Sequence, residues 1–120
     1  LCVRGNCEAE VDQMVLKFPV LADYAIIDLG NSIIYATHGH IYNENNLPPM
    51  KKGDILLHGH THVPKCVEHE DYTYMNPGSV SIPKENSHHG YMTLEKQKIL
   101  SGKISTENVK KRVRFRSITP

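Results

Sequence analysis

Cysteine is too scarce and too oddly placed for a disulfide scaffold: Cys2, Cys7 and Cys66 form an odd set without framework spacing, which points to a reducing, cytoplasmic compartment. No C-x-x-C pair is present, so Cys2 and Cys7 read as core thiols rather than zinc ligands. Long apolar runs are also missing. None approaches the roughly 20 residues that a membrane span requires, and no signal peptide is visible. Charge of one sign is not in excess either, since 14 Lys and Arg stand against 13 Asp and Glu. A formal net charge of +1 exerts no global pull towards nucleic acid or an anionic membrane. The basic stretch of residues 110–116 is broken by Val113 and Phe115 and lacks the aromatic series that base stacking uses. It reads as the charged face of a half-buried strand. Repeats and low-complexity segments are absent, and 120 residues suit a single domain with one core.

Against these absences stand eight histidines. Imidazole is the side chain most often used to bind transition metals near neutral pH. The tetrad Gly59-His60-Thr61-His62 follows the apolar run Ile55-Leu56-Leu57. In an extended backbone residues i and i+2 point to one side, so His60 and His62 are expected to face one pocket and hold one or two ions. Exposed loop histidines are the alternative.

Residues 1–3 read as a short strand that turns at Arg4-Gly5-Asn6. A helix is expected next: Val11, Met14, Val15 and Phe18 form an i, i+3, i+4, i+7 stripe, with Met14 and Phe18 in the core. Glu8, Glu10 and Asp12 lie near its positive end, and Pro19 closes it. Residues 24–29 and 32–37 form a hairpin about Gly30-Asn31. Residues 43–50 are a loop, residues 55–58 a strand, and two further strands flank the acidic turn at 68–71. Strands at 90–94, 99–104 and 109–118 follow, with a turn at Lys96-Gln97.

This reading puts four polar clusters at strand ends: Gly5-Asn6-Cys7-Glu8, His38-Gly39-His40, Gly59-His60-Thr61-His62 and Asn76-Pro77-Gly78-Ser79. Such loops are where layered folds carry their sites. The Asn6 carboxamide oxygen and the imidazoles of His38, His60 and His62 make a mixed N/O set suited to Mn, Zn, Fe or Co more than to Ca.

In composition and order these blocks resemble the calcineurin-like metallophosphoesterases, with their G-N-x-[DE], strand-end His-Gly and G-H-x-H motifs. The resemblance is strongest to the YfcE-type phosphodiesterase branch and runs over residues 1–95. It implies an α/β (α+β) fold, a β-sandwich of mixed sheets flanked by helices. It also implies two divalent ions, Mn first, with Zn, Fe, Co and Ni as alternatives. The implied reaction is hydrolysis of a small phosphodiester by a metal-bridging water or hydroxide attacking phosphorus. Carried over by position, Asn6, His38 and His60 ligate the second ion and His62 the first. Glu8, His40, Asn76 and Ser79 are candidates for substrate contact or for support behind the ligands. Cys7 stands where several relatives carry a histidine that protonates the leaving group. It reads as a packing residue, and Cys7 and His40 are the two catalytic candidates. His58 reads as a structural strand residue, and His69, His88 and His89 as exposed turn histidines.

The resemblance is incomplete. The family's Asp-x-His is absent, and the one Gly-Asp, Gly53-Asp54, falls in a turn before a strand rather than at a ligand block. The chain therefore carries mainly the half-site of the second metal. It opens without Met in strand-like sequence, so it is expected to be an N-terminally incomplete piece of a longer enzyme, inactive alone, rather than a natural truncation. The competing reading is a catalytically incomplete member acting as a protein-binding scaffold. Retention of Asn6, His38, His60 and His62 favours the enzyme. A homo-oligomer is left open.

Overall fold

The computed structural model describes residues 1–7, 14–97 and 110–117. Among these the strands are β1 (Tyr24–Asp28), β2 (Ile33–Thr37), β3 (Asp54–His58), β4 (Pro64–Glu68), β5 (Tyr72–Pro77), β6 (Gly90–Gln97) and β7 (Lys110–Ser117). The first five make one mixed sheet in the order β1-β2-β3-β5-β4, while β6 and β7 pair with each other.

The apolar run of β3 explains its central place. A strand covered on both faces needs consecutive rather than alternating apolar residues, and Ile55 and Leu56 are both fully buried. β3 runs parallel to β2 on one side and to β5 on the other. On one face Ile55 meets Ile34 and Met75, and Met92 and Leu94 of β6 pack against that cluster. The β6–β7 pair thus forms the second layer, with an apolar gap of about 140 Å³ left between the layers.

On the other face the register places Tyr35, Leu56 and Tyr74 side by side. The connection from β2 to β3 covers this row: the Tyr35 hydroxyl donates to Pro49 O at 3.0 Å, and Tyr42 meets Tyr24 edge-on at 5.3 Å. The expected hairpins form. Leu29 N–H donates to Ser32 O (2.9 Å) between β1 and β2, and His69 N–H donates to Tyr72 O (2.8 Å) between β4 and β5.

Asp54 behaves as the sequence implies for a Gly-Asp outside the ligand blocks. Its buried carboxylate accepts from Ile33 N–H at 2.9 Å and from Lys51 N–H at 2.8 Å, locking the entry to β3 at the end opposite His60. Asp54→Ala removes the acceptor of two backbone donors at a part-buried corner and is expected to cost about 1–3 kcal/mol in urea unfolding. A cost below about 0.5 kcal/mol, the usual range for a neutral surface change, would refute that role.

Several expectations need correcting. Residues 1–3 form no strand, although Arg4 N–H donates to Ala22 O at 2.8 Å. Cys2 and Cys7 are exposed rather than core thiols. Lys96 and Gln97 lie inside β6 instead of forming a turn, because their pairing with Lys111 and Lys110 continues the ladder. The strand expected at 99–104 lies outside the described residues, as do Glu8, Glu10, Val11 and Asp12. Helix in the described part is confined to Met14 and Val15. Met14 is 83% and Phe18 52% exposed, so neither is core. Helical spacing tells which residues share a face but not what that face packs on.

Candidate metal centre

Because β2, β3 and β5 are parallel neighbours, their C-terminal ends lie along one edge of the sheet. Ligands of open α/β sheets bind at such an edge. His38–His40 follow β2, Gly59–His62 follow β3, and Asn76 to Ser79 close β5. Three of the four clusters read from the sequence are thereby brought together.

His38 is the hub. Its ring lies edge-on to His40 at 5.0 Å between centroids and to His60 at 5.1 Å. Gly39 makes this approach possible. At its φ of +114° a Cβ would stand 2.6 Å from His58 Nδ1 and 3.0 Å from the Cβ of His60, so only glycine lets the two loops meet. Gly59 N–H donates to His38 O at 3.1 Å and joins the loops through the backbone as well.

The Nδ1 atoms of His38 and His40 are 3.1 Å apart. Two ring nitrogens this close either share one proton or turn two lone pairs towards a cation. With metal–nitrogen bonds of about 2.0–2.1 Å, adjacent ligand nitrogens are separated by roughly 3.0–3.4 Å, so the spacing suits a shared ion. The donor chemistry therefore fits a transition metal. Among the described residues no group of three His, Cys, Asp or Glu is placed to hold an ion.

His62 diverges from its neighbour. The expected extended geometry does not form: His60 and His62 adopt left-handed φ angles of 65° and 63°. β3 has already ended at His58, so the alternation rule of strands no longer applies. His62 Nδ1 lies 2.6 Å from Ile82 O. A carbonyl only accepts, so Nδ1 holds the proton and Nε2 keeps the lone pair a metal would use.

Asn6 is exposed, and the Cys7 thiol donates weakly to its Oδ1 at 3.8 Å. Cys7 is exposed too, which overturns its packing role: the turn at residues 6 and 7 projects it into solvent. Glu8 lies outside the described residues. Ser79 Oγ accepts from Ile82 N–H at 3.0 Å and so shapes the loop that meets His62. His58 is buried in β3 beside the Tyr74 ring at 4.8 Å. Burial pushes its pKa below the ordinary histidine value, more than its contact with Gly59 O raises it. His69, His88 and His89 are exposed, as expected.

Sequence reasoning missed the residues of an open cleft of about 390 Å³ beside His60, whose walls include Asn43, Glu44, Lys65 and Tyr74. Glu44 accepts from Lys65 Nζ at 3.5 Å and meets His69 Nε2 at 3.0 Å. Lys65 reaches the cleft through its place in β4, where it pairs with Asn76 of β5. Glu44 sits in an irregular loop whose sequence carries no periodic signal.

The model of the calcineurin-like phosphoesterase superfamily domain matches residues 1–98. The chain belongs to this superfamily. It is 42% identical over 95 residues to phosphodiesterase YfcE of Escherichia coli K12, covering 79% of this chain and 52% of that protein. A probable metallophosphoesterase of Methanothermobacter thermautotrophicus is 28% identical over 89 residues, covering 69% of this chain and 48% of its own length. The solved structure of the E. coli phosphoesterase YfcE superposes with a TM-score of 0.73, at 42% identity over 77% of this chain and 50% of that one. The chain thus spans about half the length of the curated relatives it matches. Calcineurin-like phosphoesterases generally use divalent metal ions. Among the described residues no helix is long and apolar enough to cross a membrane.

Proposed function

We propose that the chain forms part of a metal-dependent phosphodiesterase, a single domain over residues 1–120 that corresponds to the C-terminal portion of the family domain. In this reading Asn6, His38 and His60 hold one divalent ion and His62 contributes to a second. Mn is the first choice, with Zn, Fe, Co or Ni also suited to imidazole ligands. The observation that carries the reading is the convergence of the His38 ring with those of His40 and His60 at the sheet edge. Three exposed free thiols agree with a cytoplasmic setting.

Bound divalent ions neutralise charge on the phosphoryl oxygens and lower the pKa of water, which makes a nucleophile available at neutral pH. The chain's own residues do the positioning. Ile82 O holds the His62 ring with Nε2 free. His40 stands against His38, where its Nδ1 either orients the His38 ring through a shared proton or faces the same ion. The polar cleft beside His60 is the place for one substituent of a small phosphodiester. Glu8 and Ser79 remain candidates for substrate contact or for support behind the ligands, and Cys7 is a weak candidate acid because it is exposed without an activating partner in the described part.

Hydrolysis of a chromogenic phosphodiester with added Mn²⁺ tests this, comparing the 120-residue chain with the chain extended by its upstream residues. The extended protein is expected to be active and to lose activity with EDTA. Inactivity of both would sink the reading. The second reading, a protein-binding scaffold, is favoured by the exposed apolar side chains of Met14, Val15 and Leu21. It predicts metal-independent partner binding and no hydrolysis.

A further inference from the structure

Asn76 is the most completely satisfied polar side chain near the sheet edge, and it is fully buried. Its Oδ1 accepts from Gly78 N–H at 2.9 Å. Its Nδ2 faces three acceptors: Gly59 O at 2.9 Å, the Thr61 hydroxyl at 2.9 Å and the Tyr74 hydroxyl at 3.2 Å. The orientation of the amide is unambiguous, because Gly78 N–H requires an acceptor and Gly59 O requires a donor. The two N–H groups therefore reach across from the end of β5 to the first and third residues of the loop after β3.

That loop is strained. His60 and His62, on either side of Thr61, both hold positive φ angles, which side chains other than glycine adopt at a cost. Such a conformation persists only where the surroundings over-determine it. Asn76 grips Gly59 and Thr61, the residues alternating with the two histidines, and Thr61 Oγ1 in turn accepts from Val63 N–H at 3.3 Å. Full burial keeps the amide from touching a substrate.

We infer that Asn76 is a positioning residue. Its carboxamide clamps Gly59 and Thr61 so that His60 is held beside His38 while His62 is turned towards Ile82, separating the two rings for two different ions. The inference rests on the reading above that His60 and His62 are metal ligands, but the clamp itself does not.

The experiment has two arms, both on the full chain with the Asn76→Asp variant. This change keeps the acceptor for Gly78 N–H and replaces the two donors with a carboxylate oxygen facing other acceptors. In the metal-free protein, amide hydrogen exchange is expected to speed up by roughly 10-fold or more at Gly59 and Thr61 while Ile55 and Leu56 keep their protection. In the second arm Mn²⁺ affinity, read by calorimetry, is expected to fall by about 10–100-fold, the usual effect of removing a group that orients metal ligands. Thr61→Val and Thr61→Ser repeat both arms at an exposed position, in case the buried aspartate prevents folding. Valine is expected to loosen the loop and weaken binding, and serine to restore both. Unchanged exchange at Gly59 and Thr61 overturns the clamp. So does a uniform loss of protection throughout the sheet, which marks Asn76 as merely structural. If the unsubstituted chain binds no Mn²⁺, the metal reading fails while the exchange arm still decides the clamp.

Discussion

Alanine at position 60 is expected to lower the affinity of the chain for Mn²⁺ by about 100-fold, at least the loss typical of groups that merely orient a ligand. The His60 ring meets His38 at 5.1 Å, where the loops after β2 and β3 touch. His60 is exposed, so its removal opens no cavity in the core. Thermal stability should stay within about 0.5 kcal/mol of the original, as for other surface changes. His69→Ala is the control: that histidine is also exposed, but it pairs with Glu44 instead of joining the ring cluster. Calorimetric titration with Mn²⁺ compares the two. Equal affinities in both variants would remove His60 from the ligand set.

Leu56→Ala is expected to produce the largest loss of stability, about 2–5 kcal/mol, a substantial share of the roughly 5–15 kcal/mol that holds a domain folded. Leu56 is fully buried in the middle strand. Tyr35 and Tyr74 flank it in register, and the β2–β3 connection closes over that row. These rigid rings leave little freedom for the structure to collapse into the space vacated. Urea unfolding measures the change, and a cost below about 1 kcal/mol, less than burial of a single leucine is worth, would show that this face is not closely packed.

Much of this architecture could be read in advance where the pattern is local. The apolar run Ile55-Leu56-Leu57 marked a strand, and the Gly30-Asn31 turn marked the β1–β2 hairpin. The boundaries of β4 and β5 followed from the acidic turn between them. The failures have a common origin. The Met14, Val15 and Phe18 stripe was assigned to the core, yet Met14 and Phe18 are 83% and 52% exposed. Periodicity does not identify a partner surface. Lys96-Gln97 looked like a turn because of its polarity, but cross-strand pairing with β7 extends β6 through it.

The site divides in the same way. Residue chemistry and motif order were sufficient to single out His38, His40, His60, His62 and Asn76, and through them the calcineurin-like phosphoesterase family, because ligand type is a property of the side chain alone. Tertiary structure decided which of them meet. Parallel pairing of β2, β3 and β5 sets their ends along one edge, and Gly39 lets the His38 and His60 loops touch. The left-handed turns after β3 separate His60 from His62, against the same-side geometry expected of an extended chain. Sequence spacing specifies geometry only while the backbone repeats. Once the strand ends, hydrogen bonds with residues distant in sequence, from Asn76 to Gly59 O and from His62 to Ile82 O, determine where each ring points.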